Sequence, residues 1–202
     1  MPESISQNFN HLKIHTQYSI CEGAARIDDL QEYSKIHKLK SLGLCDTSNL
    51  CGALEFAEKI SKSGTQPIIG TQINFKLNDI TGLLPLFALN ETGYKNIIEL
   101  SSNSYLENDE LSDPHVNFDE LLKNSDGVSV FSGTVLGLFG KLFDKGKFTE
   151  INEIYSKIKN VFGDRFYLEI QRHNDTNENG FEKFNLKQSV EVEIPIIATN
   201  EV

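Results

Sequence analysis

Arginine is scarce in this chain. Arg26, Arg165 and Arg172 are the only arginines among 19 basic side chains, and 29 acidic ones bring the net charge to -10. A surface that grips a phosphate backbone is normally basic and rich in arginine forks. The composition therefore excludes strong nucleic-acid binding by this chain on its own. Long apolar runs are also missing. The longest, Leu83 to Leu89, has the length of a strand and falls well short of the roughly 18 residues a membrane span needs. Met1 to Asn10 is polar and offers no apolar stretch for a secretory signal. Cysteine is limited to Cys21, Cys45 and Cys51, an odd number without metal-type spacing. That points to a reducing, cytoplasmic compartment in which the thiols act as small core residues.

What is present is a repeating alternation. Of the 202 residues, 39% are hydrophobic, enough for one sizeable core, so the whole of 1–202 reads as a single domain. Short apolar runs rich in β-branched and aromatic side chains read as strands. They are His11 to His15, Ser41 to Cys45, Pro67 to Phe75, Leu83 to Leu89, Val128 to Phe131, Phe166 to Ile170 and Ile194 to Ala198. Between them lie amphipathic stretches. Ile27, Leu30 and Tyr33 share one face, and Gly52 to Ser63 repeats the pattern before a left-handed stop at Gly64. Further helices are expected over Thr92 to Tyr105, Asp119 to Lys123, Thr149 to Val161 and Gly180 to Val190.

Asn78-Asp79 with Thr81-Gly82 reads as a hairpin turn, so the sheet is not purely parallel. Residues 103–118 form the most loop-like stretch. Strands alternating with helices give the α/β class, and seven strands suit a closed or nearly closed barrel better than a short open sheet. The chain stops just after its last strand, with no helix to cover it, and so reads as a piece of a longer polypeptide.

In such a fold the chemistry gathers where strands end and loops enter helices. Those places hold His15, Tyr18 and Glu22; Asp46, Thr47 and Asn49; Gln72; Ser132-Gly-Thr134; Gln171, Arg172 and His173; and Asn200 and Glu201. Polar residues recurring at one end of nearly every strand describe a cleft. A metal-centred phosphoesterase needs imidazoles and carboxylates to converge on two or three divalent ions. The candidates for metal ligands are His15, Glu22, Asp46, His173 and Glu201, a set thin in imidazole.

Several segments carry a family resemblance. They are His11-Leu-Lys-Ile-His-Thr-Gln-Tyr-Ser19, Glu22-Gly-Ala-Ala-Arg-Ile27, Gly43-Leu-Cys-Asp-Thr-Ser-Asn-Leu-Cys-Gly-Ala-Leu-Glu-Phe56 and Pro67-Ile-Ile-Gly70. Further on come Asn90-Glu-Thr-Gly-Tyr-Lys-Asn96, Phe131-Ser-Gly133, Phe166-Tyr-Leu-Glu-Ile-Gln-Arg-His173 and Ile197-Ala-Thr-Asn200. In this order the chain resembles the N-terminal PHP (polymerase and histidinol phosphatase) domain of bacterial DNA polymerase III α subunits. The resemblance implies a distorted seven-stranded βα barrel with a metal cleft at the strand ends. Members with an intact cleft act as metal-dependent phosphoesterases, in some polymerases as a proofreading exonuclease.

Measured against the family pattern, this sequence departs repeatedly. Lys13 stands where the first of two paired histidines is expected, Thr47 follows Asp46 where a histidine is usual, and Gln72 replaces an acidic ligand. Leu83 stands for a histidine, Thr134 for a cysteine and Glu201 for an aspartate. The next histidine of the pattern falls one residue beyond Val202. A fixed ammonium and a hydrocarbon side chain supply no lone pairs to a divalent ion. The expectation is a degenerate cleft, with Lys13 paired to Glu22 or Asp46 where metals sit in other members.

Plainer roles stand beside these. His15 suits a hydrogen-bonded strand-end histidine, and His173 a solvated loop residue. Asp46 and Asn49 suit either a metal or a cap on the next helix. Ser132-Gly-Thr134 suits a phosphate-binding turn or an ordinary glycine turn. Glu22 suits a solvated or lysine-paired carboxylate, and Lys141, Lys145 and Lys147 a solvated face. The acidic loop Glu107 to Asp113 suits solvent or docking.

The resemblance implies a parent DNA-directed DNA polymerase that uses magnesium held elsewhere. For this part it implies no cofactor and no catalytic residue, zinc or manganese entering only if the cleft is intact. Implied partners are the proofreading exonuclease subunit and other polymerase III holoenzyme subunits. DNA is engaged through the parent, and no membrane is. The competing reading is an active hydrolase cleaving pyrophosphate or a mismatched 3′ end.

Overall fold

Helix α1 (Ile27–His37) forms where the helical spacing places it in the computed structural model, which describes residues 9–106, 108 and 112–202. Asp28 and Asp29 occupy its first turn, where the helix dipole favours negative charge, and the chain leaves through Lys38 in the left-handed region. Strand β1 (Ser41–Thr47) and helix α2 (Ala53–Lys62) follow, and Gly64 supplies the expected left-handed exit at φ 81°. Leu42 and Leu44 on one face of β1 pack with Ile27, Phe56 and Ile60 from the two helices.

The next pair is the hairpin, β2 (Gln66–Leu77) and β3 (Ile80–Ala88). Its turn is Asn78-Asp79, with Asn78 at φ 52°; Thr81 and Gly82 already belong to β3, opposite Lys76 and Phe75. The chain then runs through α3 (Glu91–Leu106), β4 (Val116–Asn117), α4 (Phe118–Lys123), β5 (Val128–Phe131), α5 (Leu138–Asp144) and α6 (Phe148–Phe162). It finishes with β6 (Phe166–Ile170), α7 (Glu178–Glu191) and β7 (Ile196–Ala198). The stretch expected as loop over 103–118 is helical to Leu106 and contains β4. Of the acidic loop, residues 107 and 109–111 lie outside the described residues.

The sheet has seven strands in the order β1-β2-β3-β5-β6-β7, with β4 beside β2. It is mixed: β3 runs antiparallel to both β2 and β5, and the other pairs are parallel. The strand expected over His11 to His15 is reduced to isolated pairings, Ile14 with Leu44 and Lys13 with Glu201. Through them the segment lies between β1 and the residues after β7, and the sheet curls back on itself. The expected α/β architecture, a distorted βα barrel, is thus present, with residues 11–15 as a seam in place of a full strand.

Alternation along the strands divides the interior in two. Val128, Val130, Phe166 and Leu168 face outward into the larger core beneath α3, α5, α6 and α7. Cys45, Phe87 and Phe131, with Leu12, Ile68, Tyr167 and Ile197 against them, form an apolar plug inside the barrel. Burial raises the Cys45 thiol far above its ordinary value, so it behaves as a core group. Cys21 and Cys51 are exposed, contrary to the reading of all three thiols as core residues. They sit in loops, where composition gives no burial signal.

Helix α5 had no counterpart in the periodicity. Its seven residues bury Leu138, Phe139 and Leu142, whereas Lys141 reaches out to the Thr81 carbonyl at 2.8 Å. Lys141 and Lys145 are exposed and Lys147 half-buried, so the three lysines lie on a largely solvated face, as expected. Gly82 allows this packing, because a Cβ there would lie 2.5 Å from the Leu138 Cα.

Candidate functional site

Above the apolar plug opens a cleft of about 430 Å³, walled by residues from both ends of the chain and from the strand tips between them. Lys13, His15 and Glu22 come from the first segment and its loop, Gln72 from β2, and Glu201 and Val202 from beyond β7. Because β3 runs in reverse, its early residues Leu83 and Pro85 reach the cleft, joined by Gly133, Thr134, Leu136 and Gly137 from the loop before α5. The lining is therefore part hydrocarbon, from Leu83, Pro85 and Leu136, and part charged, from Lys13, Glu22 and Glu201.

The charged part centres on Lys13, which is 1% exposed. Its Nζ lies 3.2 Å from Glu201 Oε2 and 3.4 Å from Glu169 Oε1. Burial opposes the Lys13 charge, but Glu169 and then Glu201 outweigh it and hold its pKa above the ordinary lysine value. Burial likewise opposes the Glu201 charge. The His15 hydrogen bond and the Lys13 ammonium overcome it and bring Glu201 down to about 2. His15 Nε2 is 2.8 Å from Glu201 Oε1, and since an ionised carboxylate only accepts, Nε2 carries the hydrogen.

Around this centre runs a chain of polar contacts. Gln72 Nε2 donates to Glu201 Oε1 at 3.4 Å and to Thr47 Oγ1 at 2.9 Å, and the Thr47 hydroxyl donates to Glu22. Deeper in, Glu169 Oε1 accepts from Gln171 Nε2 at 3.0 Å and from the Thr199 hydroxyl. The Glu169 N–H donates to Ser132 Oγ at 2.9 Å.

Of the five ligand candidates, His15, Glu22 and Glu201 meet in the cleft. Asp46 is wholly buried behind it, accepting from the Thr16 N–H at 2.6 Å, the Thr16 hydroxyl at 2.8 Å and the Ser19 hydroxyl at 2.7 Å. Its work is to pin the loop that follows the first segment. It caps no helix, because the N-cap of α2 is Gly52 and has no side-chain bond. Asn49 Nδ2 donates to the Tyr18 and Thr47 carbonyls, each at 3.0 Å, and its Oδ1 accepts the Cys51 N–H at 3.0 Å in the turn that leads into α2. His173 is exposed and does not line the cleft; its N–H donates to Glu178 Oε1 at 2.8 Å.

Lys13 pairs with neither Glu22 nor Asp46, the partners expected from sequence. Glu22 is held by a hydroxyl and Asp46 by the loop donors, whereas Glu169 points in from the inward face of β6. Glu169, with Thr199 beside it, is the part of the site that sequence reasoning passed over, whereas Gln171, named from its strand end, is the residue that bonds it. The signal was available: a carboxylate inside the apolar run Phe166 to Ile170, two residues from the inward Tyr167, demands a partner. Thr134 Oγ1 accepts the Leu136 N–H at 3.2 Å, a local turn leading into α5. Among the described residues, no three His, Cys, Asp or Glu side chains converge closely enough to hold a metal ion.

A curled α/β sheet with a polar cleft at the strand tips is shared by a known family, and the PHP domain model matches residues 11–173. The chain belongs to the PHP domain family. It is similar to DNA polymerase III subunit alpha of Caulobacter vibrioides, at 34% identity over 100% of this chain and 18% of that protein. The same subunit of Rickettsia prowazekii is 36% identical over 96% of this chain and 16% of its own length. The chain thus spans less than a fifth of the curated relatives it matches. An amidohydrolase structure from Chromobacterium violaceum, with bound sulfate and no metal, shares the fold at a TM-score of 0.60 and 10% identity, covering 95% of this chain and 86% of that one. Among the described residues no helix is long and apolar enough to cross a membrane.

Proposed function

We propose that this chain is the PHP module of a cytoplasmic replicative DNA polymerase α subunit whose cleft is held by a lysine, and that it serves as a scaffold and as a docking platform for the proofreading exonuclease subunit. The observation that carries the reading is the Lys13 ammonium buried between Glu169 and Glu201. It neutralises the carboxylates a divalent ion would need and repels such an ion at close range. Leu83 and Pro85 add no lone pairs, and Asp46 has its oxygens committed elsewhere. The donor set does not fit a two- or three-ion centre, so no residue here is assigned a hydrolytic step. Nucleotide addition in the parent, with its magnesium, belongs outside this chain. The net charge of -10 supports a protein-facing role over a DNA-facing one.

Metal analysis of the purified chain after exposure to zinc or manganese, with a generic phosphodiester assay beside it, tests the first half. Neither stoichiometric metal nor hydrolysis above buffer is expected. Two or more tightly held ions per chain, with hydrolysis that a chelator abolishes, would replace this reading with an active phosphoesterase. Retention of the cognate exonuclease subunit in a pull-down tests the second half, and its absence removes the docking role.

A further inference from the structure

We infer that Lys13 is the buckle of the barrel seam: its ammonium straps the first segment to β6 and to the residues after β7, holding closed a joint that backbone pairing secures with single bridges. The β2–β3 register runs from Gly70 opposite Phe87 to Leu77 opposite Ile80, and the shortest other joints, β2–β4 and β5–β6, hold two registered pairs each. Among the described residues, the one registered pair between the first segment and the residues after β7 is Lys13 with Glu201. The crossing backbone bonds are His15 N–H to the Val202 carbonyl at 2.8 Å and Val202 N–H to the Lys13 carbonyl at 3.2 Å.

The side chains supply what the backbone lacks. Glu169 is fixed on β6 by Gln171 and Thr199, and its side chain is fully buried. Lys13 reaches it across the three-residue β7 while also binding Glu201, so one cation spans three separate pieces of chain. Among the described residues Glu169 Oε2 has no hydrogen-bond partner, and apart from Lys13 its Oε1 meets only the neutral donors Gln171 and Thr199. Removing the ammonium takes away the group that both Glu169 and Glu201 contact, so the strap across the joint is lost.

This inference deepens the reading of Lys13 as the resident cation of the cleft. Metal content reports on that reading, whereas amide exchange reports on this one. Hydrogen–deuterium exchange on the full chain provides paired probes on the same segment. The His15 amide bonds across the seam to Val202, whereas the Cys45 amide bonds to the Ile14 carbonyl on the segment's other side, at 2.9 Å. In Lys13→Met the His15 amide should exchange roughly tenfold faster or more, with Cys45 unchanged. Glu201→Gln, which keeps the shape and removes one charge, should give the same asymmetry with a smaller factor, and carries the test if Lys13→Met does not fold. Parent-like protection of His15 in the folded variants would overturn the inference. So would loss of protection at Cys45 in step with His15, which marks general loosening and not an opened joint.

Discussion

The two sides of the barrel are held by different forces. On the hairpin side, β2 and β3 run for twelve and nine residues, and Ile73, Phe75, Leu84 and Leu86 are buried against helices on their outer face. On the seam side, β7 has three residues, the first segment has isolated bridges, and the buried groups include the polar Lys13, Glu169, Gln171 and Thr199. Hydrocarbon burial is non-directional and sums over area, so the hairpin side tolerates small shifts. The seam depends on a few directional contacts, and each one removed leaves a buried partner unsatisfied. The same architecture therefore has a side that resists perturbation by bulk and a side that resists it by matching.

The comparison can be broken most forcefully on the hairpin side. Phe75→Ala empties a fully buried position and should cost about 3–5 kcal/mol of global stability, read from the urea midpoint at unchanged slope. Asp46→Ala acts near the seam, where three donors from Thr16 and Ser19 lose their acceptor. It should cost about 1–3 kcal/mol by the same measurement. A loss from Asp46→Ala exceeding that from Phe75→Ala would reverse the ranking of the two sides.

The third effect is the most selective. Folding lowers the Glu201 carboxyl from 4.5 to about 2, so its contribution is complete above pH 4.5 and is lost as pH falls toward 2. Lys13 works in the opposite direction: raised above 10.5, its contribution is complete below that pH and disappears only as pH climbs past its raised value. Glu201→Gln should therefore be less stable than the parent at neutral pH, and the gap should narrow on acidification through that window. Thermal midpoints of both proteins against pH check this, and a gap that stays constant down to pH 2 would contradict it.

Much of the hairpin side was legible in the sequence, because its signals are local. Alternating apolar residues, the Asn78-Asp79 turn and the Gly64 stop each act within a few positions. The helix–strand order of β1, α2 and β6 followed for the same reason. Helix α5 escaped because seven residues between glycines offer too little periodicity, and the reversal of β3 re-aimed Leu83 and Pro85 in a way no strand-end rule anticipates. In the cleft, His15, Glu22 and Glu201 were found by their placement at strand tips. The partner of Lys13 was not, because its choice of Glu169 over Glu22 or Asp46 depends on which faces of distant strands point inward. Asp46 shows the same limit, since its donors come from a loop thirty positions earlier.

The seam also carries a consequence for how the protein is made. Lys13 and Glu201 are 188 residues apart in the chain, so the first segment leaves the ribosome long before its partner exists. The hairpin can zip as soon as its turn emerges, whereas the joint must wait until Glu201 has been translated. Throughout that interval a lysine destined for burial stays hydrated and soluble. Closure of the barrel therefore comes after the other strand pairs of the sheet have been able to form.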